Sequence, residues 1–160
     1  MQVTDLADRS RIWIYQADRL MSEHEVNEIT RLGQNFILEW SAHGAALKSV
    51  CEVRYGYFLM LTVDDNQAMA SGCSIDASMH FVKGLEKKFQ IDFFNRMNVA
   101  YKSGGVIKLL KMSEFEDALQ AGTLASNTIV FNNLVSTVGE FKSNWEVAVS
   151  HSWHAQLLPA

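Results

Sequence analysis

The stretch Tyr57-Phe58-Leu59-Met60-Leu61-Thr62-Val63 constrains this chain more than any other feature. It shows no polar alternation, so as a strand it must be covered on both faces, and it is far too short to cross a bilayer as a helix. A chain of 160 residues can supply both covering layers within one domain. With 48% hydrophobic residues, a single Pro and 9 Gly, disorder, collagen-like repeats and Pro-rich linkers are excluded.

The flanking segments predict how the run is housed. Residues 47–54 precede it across Tyr55-Gly56, where Gly permits the positive φ of a tight turn, so the two arms read as a hairpin. The first arm carries Lys48, Glu52 and Arg54, as suits an edge strand. Upstream, residues 11–15 (Arg-Ile-Trp-Ile-Tyr) are apolar on both faces and read as another central strand. Between them lies a helix. Ser22 and Glu25 form its capping box, Val26, Ile29, Gly33, Phe36, Ile37 and Trp40 its buried stripe, and Ser41, His43 and Gly44 its stop. Asp64-Asp65-Asn66 closes the hairpin, and a second helix starts near Ser74 with Asp76 in its first turn and Met79, Val82, Leu85 and Phe89 as its stripe. A strand at residues 97–101 follows, with Met97, Val99 and Tyr101 facing inward.

The order β-α-β-β-α-β predicts an α+β fold of the ferredoxin-like kind, two helices packed on one face of an antiparallel sheet. The remainder reads as a strand at 106–111, a short helix opened by a Ser113/Glu116 capping box and ended by Gly122, and a strand at 128–131. Asn132-Asn133 then turns the chain, Thr137 and Glu140 cap one more helical turn, and residues 145–149 look extended. The expectation is a single domain, 1–160, in which a ferredoxin-like half (11–103) carries a C-terminal extension (104–160) packed on it. Trp13, Tyr15, Phe58 and Met60 leave that sheet no polar face, and exposing one is costly at roughly 25 cal/mol per Å². Either the C-terminal third covers it or a second copy does, which makes a homodimer one expected partner.

Lys and Arg total 14 against 18 Asp and Glu, a formal charge of −4, which disfavours nucleic-acid binding. Arg96, Lys102, Lys108 and Lys111 gather around Tyr101, but no RNP1-type pattern accompanies them and a solvated edge explains the charges. Phe93-Phe94 reads as closing the core after the second helix rather than as a stacking platform. Residues 1–10 lack the apolar core of a secretory signal and the two cysteines, Cys51 and Cys73, form no disulfide framework; a cytoplasmic protein with no membrane partner is expected.

The most suggestive chemistry lies in Ala70-Ser71-Gly72-Cys73-Ser74-Ile75-Asp76, small residues entering a helix. Free N–H groups there can hold an anion, with Ser71, Gly72, Ser74 and Asp76 as ligand-binding candidates, or can stabilise a thiolate at Cys73. The ferredoxin-like topology brings the end of helix one beside the start of helix two, so His43 becomes the candidate base for a Cys73 nucleophile, with Asp64 or Asp65 orienting it. The plainer reading is an ordinary helix start and a packed thiol. His151 and His154 could chelate a metal only on a helix, and a Trp-anchored tail explains them as well, so neither a metal nor another cofactor is expected. GxxxxGK[ST] and GxGxxG are both absent.

Through Trp40-Ser41-Ala42-His43-Gly44, Ser71-Gly72-Cys73-Ser74-Ile75-Asp76, Phe131-Asn132-Asn133-Leu134 and Ser152-Trp153-His154, the chain resembles a family of small bacterial proteins, mainly from Bacteroidetes, commonly labelled "ABC transporter ATPase". The resemblance runs from about Arg11 to the C-terminus and implies no site residues. Without a Walker A loop, ATP hydrolysis of the transporter kind does not follow from it. The expected function is a module binding a small anionic ligand or another protein, the alternative a Cys/His-dependent enzyme.

Overall fold

The computed structural model of the chain describes residues 1–40, 48–64 and 72–160, the side chains of 72–74 excepted. Among these the protein is α+β, with four α-helices and two antiparallel sheets.

The first sheet contains β1 (Arg11–Gln16), β2 (Ser49–Arg54) and β3 (Phe58–Val63) in the order β1-β3-β2. The apolar run is its central strand, with Leu61 opposite Trp13 on one side and Cys51 on the other, and every residue of β3 is buried. At the β2–β3 turn both Tyr55 (φ 59°) and Gly56 (φ 71°) are left-handed. Gly accepts that freely; Tyr does not. The Tyr55 hydroxyl donates to the Glu146 carboxylate at 2.6 Å and Lys102 Nζ stands 4.8 Å from its ring centroid, contacts that hold the strained residue in place.

α1 (Glu23–Trp40) and α2 (Gly72–Phe89) cover one face. The capping box forms as expected: Ser22 N donates to Glu25 Oε1 at 2.9 Å, and Glu25 N to Ser22 Oγ at 3.1 Å. Gly33 crosses directly over Cys51, where a β-carbon would collide with the sulfur. Phe36 stacks on Phe81 at 4.4 Å to join the helices. α2 begins at Gly72, two residues earlier than Ser74 suggested, so Cys73 lies within the helix rather than before it.

The other face is covered from within the chain. Ile12, Phe58 and Met60 pack with Val3 and Leu6 at the N-terminus and with Phe131, Val135, Val138, Phe141 and Trp145 from the C-terminal third. Period two explains the split, since Trp13 and Tyr15 point to the helices while Ile12 and Ile14 point to this second layer.

The second sheet holds β4 (Asn98–Ser103), β5 (Val106–Lys111), β6 (Ile129–Phe131) and β7 (Glu146–Ala148) in the order β5-β4-β6-β7. A ferredoxin-like sheet needs β4 beside β1. Instead β4 pairs along its length with β5 and, through Tyr101 and Val130, with β6. Met97 corrects a second expectation: it is 61% exposed, because its N–H donates to Asn95 Oδ1 at 2.8 Å in a turn and the strand starts one residue later. Two helices complete this half, α3 (Met112–Gln120) and α4 (Val138–Asn144). β5 runs straight into α3, so Ser113 falls inside the first turn and no side chain caps the helix at Lys111. The cap of α4 is the expected one, Glu140 N donating to Thr137 Oγ1 at 3.2 Å.

Candidate functional site

Antiparallel geometry gives β1 one edge bonded to β3 and one facing away. Ile12 N–H donates to Ser136 O at 3.1 Å and Val138 N–H to Ser10 O at 2.9 Å, so the even-numbered backbone groups of β1 point outward. At the far end the Gln16 side chain donates to Asn98 O at 3.1 Å, tying β1 to the start of β4. Between these two ties the strands stay apart, and a cavity of about 650 Å³ occupies the gap. That volume lies in the range of small-molecule sites.

The walls come from every layer of the fold. Trp13, Tyr15, Ile12 and Ile14 flank the β1 edge, while α2 contributes Ile75 and Met79 and the α2–β4 connection Phe93 and Phe94. Val99 and Ala100 of β4, Phe131 of β6 and Val135 form the opposite side, with Trp153 and His154 of the short helical segment Trp153–Leu157. Met79 and Leu134, 36% and 70% exposed, give the mouth an apolar rim.

The polar groups are arranged in a chain. Trp145 Nε1–H donates to Asn133 Oδ1 (2.9 Å), Asn133 Nδ2–H to Gln16 Oε1 (3.0 Å), and Gln16 Nε2–H to Asn98 O. Each amide is oriented by the next, which fixes the spacing of the two sheets at that end. His154 is 2% exposed, and burial lowers its pKa to about 4, so the imidazole is neutral near pH 7. Its Nδ1 lies 2.7 Å from Ser152 Oγ and its ring stacks on Trp153 at 3.8 Å. The Tyr15 hydroxyl meets the Ser78 hydroxyl, and burial raises its pKa.

Charge singles this cavity out. The chain has six arginines, of which Arg9, Arg19, Arg31 and Arg54 are in ion pairs with carboxylates. The other two, Arg11 and Arg96, both line the cavity and have no carboxylate partner among the described residues. The Arg11 guanidinium lies over the Trp13 ring, 5.5 Å from its centroid. No Asp or Glu is among the described residues of the wall, in a protein whose net charge is −4.

The residues singled out from sequence sit differently. His43, Asp65 and Ser71 lie outside the described residues, as do the side chains of Cys73 and Ser74; the backbone of Gly72, Cys73 and Ser74 forms the first turn of α2. Asp64 closes β3, its N–H donating to Lys48 O at 2.8 Å and its carboxylate 3.4 Å from the Arg9 guanidinium. Asp76 is exposed, and neither it nor Asp64 lines the cavity. His151 is exposed and 3.1 Å from Ser150 Oγ, in a different helical turn from buried His154, so the pair does not share a helix face. Among the described residues no cluster of three His, Cys, Asp or Glu side chains could hold a metal. None of Arg11, Arg96, Gln16 and Asn133 stands out from sequence as a site residue: Arg96 reads as part of a solvated edge, Asn133 as a turn, and Arg11 and Gln16 carry no local mark. The available signal was weak: two arginines within or beside strands with no acidic residue at cross-strand spacing.

No protein-family model matches the chain, and neither a curated protein nor a solved structure is found to be similar to it.

Proposed function

We propose that this protein is a binding module whose β1-edge cavity takes a small molecule with an apolar body and an anionic group. The observation that carries this is the pairing of a largely apolar cavity, with no Asp or Glu among its described wall residues, with the two arginines that have no carboxylate partner among the described residues. A guanidinium offers a planar fork of donors matched to a carboxylate or phosphate, and the aromatic wall takes the apolar remainder. We read residues 11–103 as a ferredoxin-like unit opened between β1 and β4, with the ligand in the seam; the β1-β3-β2 order and the Gln16–Asn98 tie support that reading. Three of the four segments behind the bacterial-family resemblance supply wall residues, Ile75, Phe131 with Asn133, and Trp153 with His154, which makes this cavity the natural site for whatever that family binds.

Titration with decanoate and with phenyl phosphate, read by the fluorescence of Trp13 and Trp153, tests the proposal. Saturable binding of at least one is expected, weakened about tenfold or more in Arg11→Gln, Arg96→Gln. No saturable response to either probe, or a response indifferent to both arginines, would falsify it.

The enzymatic reading keeps Cys73 as nucleophile and His43 as base. The helix that carries Cys73 borders the cavity through Ile75, but positions two apart on a helix point nearly opposite ways, so this reading stands second. It predicts iodoacetamide labelling of Cys73 well below pH 8, whereas a thiol inert in the native protein counts against it.

A further inference from the structure

We infer that the ligand of this cavity is a short extended peptide with a free carboxylate, bound as an added strand on β1. The inference rests on the anion-binding reading above and sharpens it. Its premise is the backbone of β1. The outward N–H of Ile12 is taken by Ser136, whereas no described residue bonds the outward N–H and C=O of Ile14, and these groups face the cavity.

An unpaired donor and acceptor on one residue is the recognition surface of a strand edge, and a fatty acid or aryl phosphate has no complementary pair to offer. A peptide in the antiparallel sense answers both with one residue, its N–H donating to Ile14 C=O and its C=O accepting from Ile14 N–H. The length of the slot follows from its ends. From Ile12 to Gln16 the edge spans about 13 Å, room for roughly three residues of an added strand. Side chains alternating above and below that strand would meet two apolar walls, Tyr15 and Phe94 on the helical side and Val135 and Phe131 on the other. The terminal carboxylate matches Arg11 or Arg96, the only charged side chains among the described wall residues. The open edge between β1 and β4 is therefore a receptacle that the missing strand of a continuous sheet would fill.

The experiment uses the intact protein and a panel of N-acetylated tripeptides carrying valine, leucine or phenylalanine at each position. Each is titrated by tryptophan fluorescence with a free carboxylate, as the C-terminal amide, and with each amide nitrogen methylated in turn; decanoate is run alongside. At least one free-carboxylate tripeptide should bind, with at least about tenfold loss on amidation and at least about tenfold loss at one N-methyl position. Ile14→Pro removes the same bond from the protein side without touching the ladder to β3, and the peptide-side methylation gives the answer with the protein unaltered. If decanoate binds through the arginines while no tripeptide does, or if N-methylation at every position is without effect, the peptide inference fails and the anion-binding proposal survives. If nothing binds, both fall.

Discussion

At the scale of single residues, burial rather than charge pairing sets the protonation of His154. His154 is held neutral between Trp153 and Phe115 at the cavity wall, and desolvation moves its pKa down to about 4. The unfolded chain takes up this proton near pH 6.5; the folded chain refuses it until about pH 4. Between those values the unfolded state binds more protons, so stability falls as pH falls, by on the order of 3 kcal/mol across the window. Urea midpoints measured from pH 7.5 to 4 should show this slope in the wild type and lose it in His154→Asn, which keeps a polar group near Ser152 without the titration. Parallel pH profiles for the two proteins would mean that the imidazole is not shielded as described. Cys51 is the contrasting case: it is buried beneath α1 against Gly33, and that burial pushes its thiol up to about 12, so it stays protonated near pH 7.

At the scale of elements, the cavity depends on a short helix that does not line it. α4 has seven residues and is fixed at its start by Thr137, whose hydroxyl accepts from Glu140 N while Ser136 N donates to the Glu140 carboxylate at 3.3 Å. The same turn carries the Arg11–Thr137 bridge that pins one end of the β1 edge. Thr137→Ala should cost about 1 kcal/mol, a drop of roughly 2–4 °C in Tm, and Thr137→Ser should restore most of it. Equal losses in the two variants would show that the methyl packing of Thr137, not its cap, is what matters. The sequence made α1, the hairpin and the α4 cap legible, because each rests on spacing within a few residues: Ser22 with Glu25, the Val26 to Trp40 stripe, Thr137 with Glu140. It could not reveal that Tyr101 pairs with Val130, since that pairing joins strands separated in the chain by β5 and α3 and turns β4 away from β1. The cavity is a consequence of that one long-range choice. A reading of local motifs therefore reached Ile75, at the edge of the small-residue segment, but not Arg11 and Arg96, whose significance is only that no acidic residue among those described pairs with them.

At the scale of the whole molecule, the two sheets are not separable bodies. One core joins Ile12, Phe58 and Met60 of the first sheet to Ala100 and Phe131 of the second, and Trp145 sits within it against Phe58 at 5.0 Å and Phe141 at 4.7 Å. Lys102 of β4 and Tyr55 of the β2–β3 turn meet at Glu146, the first residue of β7, tying the sheets again at the surface. The first sheet thus has only one of its faces covered by α1 and α2. Cutting the chain after residue 103 would strip Phe131, Val135, Val138, Phe141 and Trp145 from the other face at roughly 25 cal/mol for each Å² laid bare, more than a domain of marginal stability can lose. The fragment 1–103 is accordingly expected to bind 8-anilinonaphthalene-1-sulfonate and to lack a cooperative urea transition. The full chain should unfold in a single step, its near-UV signal coinciding with the far-UV signal of both halves. Two resolved transitions in the full chain, or a fragment that melts cooperatively by itself, would mean that the shared core is a contact between independent units and that the gap holding the cavity is free to open and close.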